Sequence, residues 1–164
     1  MSRACSAIAR ADNEVMNLIL WRHAEAEDAG PGGDLARALT GRGRAQAERM
    51  AAWLGPRLPA KARIVASPAL RCQETAAALG GTIATIAAIG PDAAPERLLG
   101  ATGWPDGNET VVVVGHQPTI GQAAALAMGV AGASWQVKKG AVWWLKSGKG
   151  GTVRLHAVQS PDDL

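Results

Sequence analysis

Thr110-Val111-Val112-Val113-Val114 is an unbroken run with no polar alternation, the pattern of a strand covered on both faces. Pro118 to Met128 follows it as a helix, and a doubly covered strand backed by a helix is the unit of a layered α/β domain. The unit recurs on the N-terminal side. Asn17-Leu18-Ile19-Leu20-Trp21 is a short apolar run closed by polar residues, and Arg63-Ile64-Val65-Ala66 is another. Between them, Thr40 caps a helix in which Ala47, Met50, Ala51 and Leu54 share one face before Gly55-Pro56 stops it. After Ala66, Ser67 reads as an N-cap and Pro68 as the first helical residue. Cys72, Thr75, Ala76 and Leu79 then form an apolar face ended by Gly80-Gly81.

Thr82 to Ile89 has room for a further strand. Gly90 to Asn108, with Pro91, Pro95 and Pro105, reads as an irregular connection with room for one helical turn. Val142-Trp143-Trp144-Leu145 and Thr152-Val153-Arg154-Leu155-His156 read as a closing hairpin joined through Ser147 to Gly151. The expected fold is therefore a three-layer α/β/α domain with a mostly parallel central sheet and an antiparallel C-terminal hairpin.

The chain has 164 residues, 48% hydrophobic and 19% charged, which sets it among globular rather than disordered proteins. One domain over residues 16–164 is expected, with residues 1–15 as a loose N-terminal extension. Arg3, Arg10, Asp12 and Glu14 interrupt any apolar core of a signal peptide, and no stretch approaches the roughly 18 apolar residues of a membrane span. The two cysteines, Cys5 and Cys72, are too few for a disulfide framework. A cytoplasmic protein with no membrane partner is expected. The net charge of +3 suits an anionic ligand. Lys138, Lys139, Lys146 and Lys149 read as a solvated face rather than a nucleic-acid stripe, so no nucleic acid is expected as a partner.

In open α/β sheets ligands bind beyond the carboxyl ends of the strands. Arg22-His23 follows the first strand, Ser67-Pro68 with Arg71 the second, and Gly115-His116 the valine strand. Arg71 lies in the first turn of a helix, where a cation opposes the macrodipole and costs a few tenths of a kcal/mol; a broken local rule of this kind marks a site. Two guanidinium groups and two imidazoles at one sheet edge suit a phosphoryl group, whose oxygens guanidinium grips bidentately. Glu25 to Leu39, centred on Gly30-Pro31-Gly32-Gly33, reads as a mobile functional loop beside them. Cys72, within an apolar stripe, reads as a buried structural cysteine.

Four segments then resemble one family. Leu20-Trp21-Arg22-His23-Ala24-Glu25-Ala26 is similar to the Arg-His-Gly signature of the histidine phosphatase superfamily, in the Arg-His-Ala form of its short bacterial branch. Leu39-Thr40-Gly41-Arg42-Gly43-Arg44-Ala45-Gln46-Ala47 resembles its Leu-Thr-x-x-Gly-x-x-Gln-Ala segment. Ala66-Ser67-Pro68-Ala69-Leu70-Arg71-Cys72-Gln73-Glu74-Thr75-Ala76 resembles its Ser-Pro-x-x-Arg-x-x-x-Thr-Ala segment. Val114-Gly115-His116-Gln117-Pro118-Thr119 is similar to its second-histidine motif in the SixA-type phosphohistidine phosphatases. Lys138-Lys139-Gly140-Ala141-Val142 extends the likeness. Trp21 and Ala24 depart from the usual Leu and Gly.

The resemblance implies a phosphoglycerate mutase-like fold and a phosphatase, with His23 as a transiently phosphorylated nucleophile and Arg22, Arg71 and His116 around the phosphoryl group. An imidazole attacks phosphorus only when unprotonated, and its other nitrogen needs a carbonyl or carboxylate to fix the tautomer. The acid that protonates an ester leaving group is open among Asp34, Glu25 and Glu96, with Asp34 favoured by its place in the loop before Arg37 and Leu39-Thr40. A phosphoramidate would tolerate a weak acid or none. No cofactor and no metal are implied, since no dense carboxylate, His or Cys grouping is present. The implied substrate is phosphohistidine on a protein such as a phosphorelay histidine domain. The alternatives are a small phosphorylated metabolite such as a sugar phosphate, or a non-catalytic domain that binds phospho-ligands. A mutase would need long insertions that this chain lacks.

Overall fold

The computed structural model describes residues 16–164; the expected extension at 1–15 lies outside the described residues. Six strands and four helices follow in the order β1 (Asn17–Arg22), α1 (Gly41–Leu54), β2 (Arg63–Ala66), α2 (Leu70–Ala77), β3 (Ile83–Thr85), α3 (Pro95–Thr102), β4 (Thr110–Gly115), α4 (Thr119–Ala127), β5 (Val142–Ser147) and β6 (Val153–Gln159). They form one sheet in the order β3-β2-β4-β1-β5-β6. The first four of these strands are mutually parallel, while β5 runs antiparallel to β1 and to β6. This is the mostly parallel sheet with an antiparallel C-terminal hairpin that the chain's patterning predicts.

Strand periodicity divides the core into two layers. Leu18, Leu20, Val111 and Val113 face α3 and α4 through Leu98, Leu99, Ile120, Ala123 and Ala124. Ile19, Trp21, Val112 and Val114 face α1 and α2 through Met50, Leu54, Cys72 and Ala76. All six residues of β4 are buried, as its unbroken apolar run requires.

Two local expectations need correction. The helix after β2 begins at Leu70 with Ala69 as its cap, so neither Ser67 as N-cap nor Pro68 as first helical residue holds. Ser67 Oγ instead accepts from the Ala69 N–H (3.2 Å) and faces His116, which bends the chain before the helix can start. The connection Gly90 to Asn108 holds α3, two turns rather than one. Pro95 opens it and Gly103 closes it at φ 78°, while Leu98, Leu99 and Thr102 are buried. Proline at the start and glycine just past the end are helix boundary signals; three prolines in the stretch mask them.

Thr40 caps α1, accepting from the Gly43 N–H. The loop before it is cinched at its neck by an Ala26–Leu39 bridge and by Glu27 N–H to Ala38 O (2.8 Å). Gly43 lies against that neck: a Cβ there would stand 1.9 Å from the Glu25 carbonyl oxygen. Replacing glycine within a helix by alanine ordinarily gains about 1 kcal/mol, but here the backbone clash outweighs it. Gly43→Ala is expected to lose about 2 kcal/mol net, lowering Tm by about 5 °C. Thermal unfolding followed by circular dichroism checks this, and an unchanged or raised Tm contradicts the close packing.

Candidate active site

The pairing of β1 with β4 aligns Arg22 with Gly115, and that of β2 with β4 aligns Ala66 with Val114. His23, Ser67 and His116 therefore leave the sheet side by side. The exits are pinned by His23 N–H to Gly115 O (3.0 Å) and Ser67 N–H to Val114 O (3.1 Å). On the other flank, Gly140 N–H donates to His23 O (3.1 Å) from the turn before β5.

His23 is 8% exposed, and its Nδ1 lies 2.8 Å from Ala24 O. A carbonyl only accepts, so Nδ1 carries the proton and Nε2 is left with its lone pair. Ala24 is itself fixed, donating from N–H to Thr75 Oγ1 (3.1 Å), which donates to Arg71 O (2.7 Å). The departure at Ala24 is thus absorbed in a buried, bonded turn. Burial chiefly, joined by His116 and the charges of Arg71 and Arg22, pushes His23 down to about 3 against the opposing pull of the Ala24 carbonyl. The neighbouring cations are secondary to desolvation in keeping this imidazole neutral.

His116 stands 5.4 Å from His23, ring centre to ring centre. Its Nδ1 accepts from Arg71 Nη2 (3.2 Å), since guanidinium only donates, and its Nε2–H then donates to Ser67 Oγ (2.8 Å). Burial first and Arg71 second lower His116 to about 4. Cys72 Sγ lies 3.5 Å from His116 Nε2, but burial pushes the thiol up to about 12, as befits a structural cysteine.

Arg71 is only 3% exposed, and Asp34 supplies its counter-charge. Nη1 donates to Asp34 O (2.8 Å) and Nη2 to Asp34 Oδ2 (3.1 Å). Arg37 Nε holds the other carboxylate oxygen at 3.0 Å. Burial raises the Asp34 carboxyl, but Arg71 and Arg37 together outweigh that and hold it below the usual carboxylate range. Arg22 donates from Nη1 to Val137 O (2.7 Å).

Arg22, His23, Asp34, Arg37, Arg71 and His116 line one open cavity of about 340 Å³. Its walls carry four cations, Arg22, Arg37, Arg71 and Lys139, against two carboxylates, Asp34 and Asp92. Among the described residues, the buried side-chain nitrogen or oxygen atoms without a partner are Arg22 Nε, Arg71 Nε and Gln117 Oε1, and all three belong to residues of this cavity. An unmet buried polar atom marks a place where structure yields to use.

Of the residues singled out from sequence, Arg22, His23, Arg71, His116 and Asp34 meet in the cavity. Glu25 and Glu96 do not line it. Glu25 Oε1 instead accepts from Thr40 Oγ1 (2.9 Å) at the start of α1, and Glu96 lies in the first turn of α3. Sequence reasoning missed Arg37, Asp92 and Gln117 as pocket residues and gave Lys139 to a solvated face. Gln117 could have been found from its place beside His116; Asp92 carried no signal. Among the described residues no three His, Cys, Asp or Glu side chains gather as metal ligands would, and no helix is long and apolar enough to cross a membrane.

Comparison with known proteins bears on the fold and the family. A candidate phosphohistidine phosphatase SixA from Nakamurella multipartitia is 26% identical, with a TM-score of 0.73 over 92% of this chain and 98% of that one. A candidate phosphohistidine phosphatase SixA from Agrobacterium tumefaciens is 26% identical, with a TM-score of 0.69 over 88% and 97%. The protein histidine phosphatase SixA in complex with tungstate, 22% identical, shares the fold with a TM-score of 0.71 over 90% and 99%. No curated protein sequence matches. The fold is thus phosphoglycerate mutase-like. The sequence model of the histidine phosphatase superfamily (branch 1) matches residues 18–101, just over half of the chain, and the chain belongs to that superfamily.

Proposed function

We propose that the protein is a phosphatase in which His23 takes the phosphoryl group from phosphohistidine on another protein and yields it to water. The observation that carries this reading is the Nδ1–H of His23 on Ala24 O at 2.8 Å, which presents Nε2 as a free base in a cavity lined by Arg22, Arg71 and His116. In the first step Nε2 bonds to phosphorus while the bond to the leaving group breaks. In the second, water attacks the phosphorylated His23 and inorganic phosphate departs. Phosphoryl transfer asks for positioning and charge stabilisation, and the cations of the pocket supply both. His116, fixed as the Nε2–H tautomer, keeps the Arg71 guanidinium seated beside the reacting group.

Asp34, held ionised by Arg71 and Arg37, is a poor proton donor in this arrangement. That favours a P–N substrate, which makes less demand on an acid than an ester does. The site is also open, and the two SixA relatives at 26% identity are described as candidate phosphohistidine phosphatases. A cytoplasmic phosphorelay histidine domain is the partner this implies, and the steps as written use neither metal nor cofactor.

Turnover of a phosphohistidine-bearing protein should vanish in His23→Ala, and wild type quenched during turnover should carry acid-labile phosphate on His23. Preference for p-nitrophenyl phosphate or a sugar phosphate would favour the small-ester alternative. Phosphate-dependent binding without hydrolysis of any substrate would favour a binding domain.

The protonation states give a second test. With folded values near 3 for His23 and 4 for His116, both rings stay neutral between pH 5 and 8, and neither should titrate in that range by NMR. A midpoint near the ordinary 6.5 for His23 contradicts the site. Because both folded values lie below the unfolded one, their contribution to stability is complete above about pH 6.5. It is lost as the pH falls from there toward 4 and 3, so Tm should decline over that window, and less steeply in His23→Asn.

A further inference from the structure

The cations of the pocket all have a use in this reading, but two acceptors do not. Asp92 lines the cavity with His116 and Gln117, and it is the one non-glycine residue with positive φ, 61°, among the described residues. The turn that holds it is fixed by Ala93 N–H to Gly90 O (3.2 Å) and by Thr119 Oγ1 donating to Ala93 O (2.7 Å). Residues kept in this region gather at functional sites. Its carboxylate joins none of the ion pairs among the described residues, yet it acts on the charge of His116.

Gln117 Oε1 is the second acceptor, buried and without a partner. Its orientation is determined, because Nε2 donates to Trp135 O at 2.7 Å, and the reversed amide would set two oxygens against each other. Neither acceptor can serve the phosphoryl group, whose oxygens are themselves acceptors. They suit whatever lies across the scissile bond, provided that it brings an N–H.

Phosphohistidine brings one in its reactive form. Cleaved with its distal nitrogen bare, it would depart as an imidazolate, a poor leaving group. Cleaved with that nitrogen protonated, it departs as neutral imidazole. We infer that Asp92, on the cavity wall it shares with Gln117, accepts a hydrogen bond from the distal ring N–H of a phosphohistidine substrate and holds the leaving ring in its protonated form. The inference rests on His23 being the nucleophile. As His23 Nε2 bonds to phosphorus, the substrate's P–N bond breaks and its electron pair returns to the ring nitrogen. The distal proton stays in place, so no acid is needed at the bridging atom. An aryl phosphate offers no N–H there, so its ring would face the Asp92 carboxylate with nothing to donate.

The test compares kcat/KM for a phosphohistidine peptide and for p-nitrophenyl phosphate in wild type, Asp92→Asn and Asp92→Gly, trapping phosphorylated enzyme in each. Asn and Gly both accept the left-handed backbone, so the turn survives either change. The ratio of phosphohistidine to aryl phosphate turnover should fall about tenfold in Asp92→Gly, as for loss of a hydrogen bond between charged groups. It should fall less in Asp92→Asn, which keeps an acceptor oxygen. An unchanged ratio, or an equal fall for both substrates, overturns the inference while leaving the phosphatase reading intact. If wild type turns over either substrate with no phosphate trapped on His23, the nucleophile assignment fails and this inference falls with it.

Discussion

The parallel pairing of β1 with β4 is the constraint on which the rest of the structure depends. A parallel neighbour forces both strands to end at the same edge, so Arg22-His23 and Gly115-His116 emerge as adjacent pairs. It also forces each chain to return across the sheet, and those returns are the helices that cover both faces. With β2 on the far side of β4, Ser67 and Arg71 join the same edge. The site is therefore less an addition to the fold than the place where three strands run out together.

Burial at that edge is costly unless every polar group is met, and the local bonding follows from this. Thr75 serves two backbones, receiving from Ala24 and donating to Arg71 O. Ser67 both turns the chain and accepts from His116. Those bonds, rather than sequence adjacency, hold the two imidazoles and the guanidinium in register. Among the described residues, the partnerless buried atoms on Arg22, Arg71 and Gln117 are the departures from this economy, and all three residues line the cavity.

Most of this architecture is legible in the chain because its signals are local. The Val111–Val114 run, the face of Ala47, Met50, Ala51 and Leu54, and the Thr40 cap each report their own surroundings. The four residues after the strands were legible for a topological reason, since strand ends mark the ligand edge. What escaped depends on distant parts of the chain. Ser67 fails as a helix cap because His116, 49 residues away, engages its hydroxyl. Lys139 reaches the cavity because β5 lies next to β1, a neighbourhood no window of sequence reports. Asp92 depends on a backbone angle that its residue type permits but does not announce.

The contact between Asp34 and Arg71 changes what binding means at this site. Nη2 of the buried guanidinium already holds the Asp34 carboxylate and Nη1 the Asp34 main-chain carbonyl, so an anion that takes both displaces a carboxylate instead of filling a vacancy. Association is an exchange of one anion for another. Its dependence on ionic strength is then shallower than four lining cations suggest, because part of the attraction is spent on releasing a charge of the same sign. Such an exchange also sorts ligands by valence: a dianion outbids the single charge of Asp34, where a monoanion has little to offer in its place.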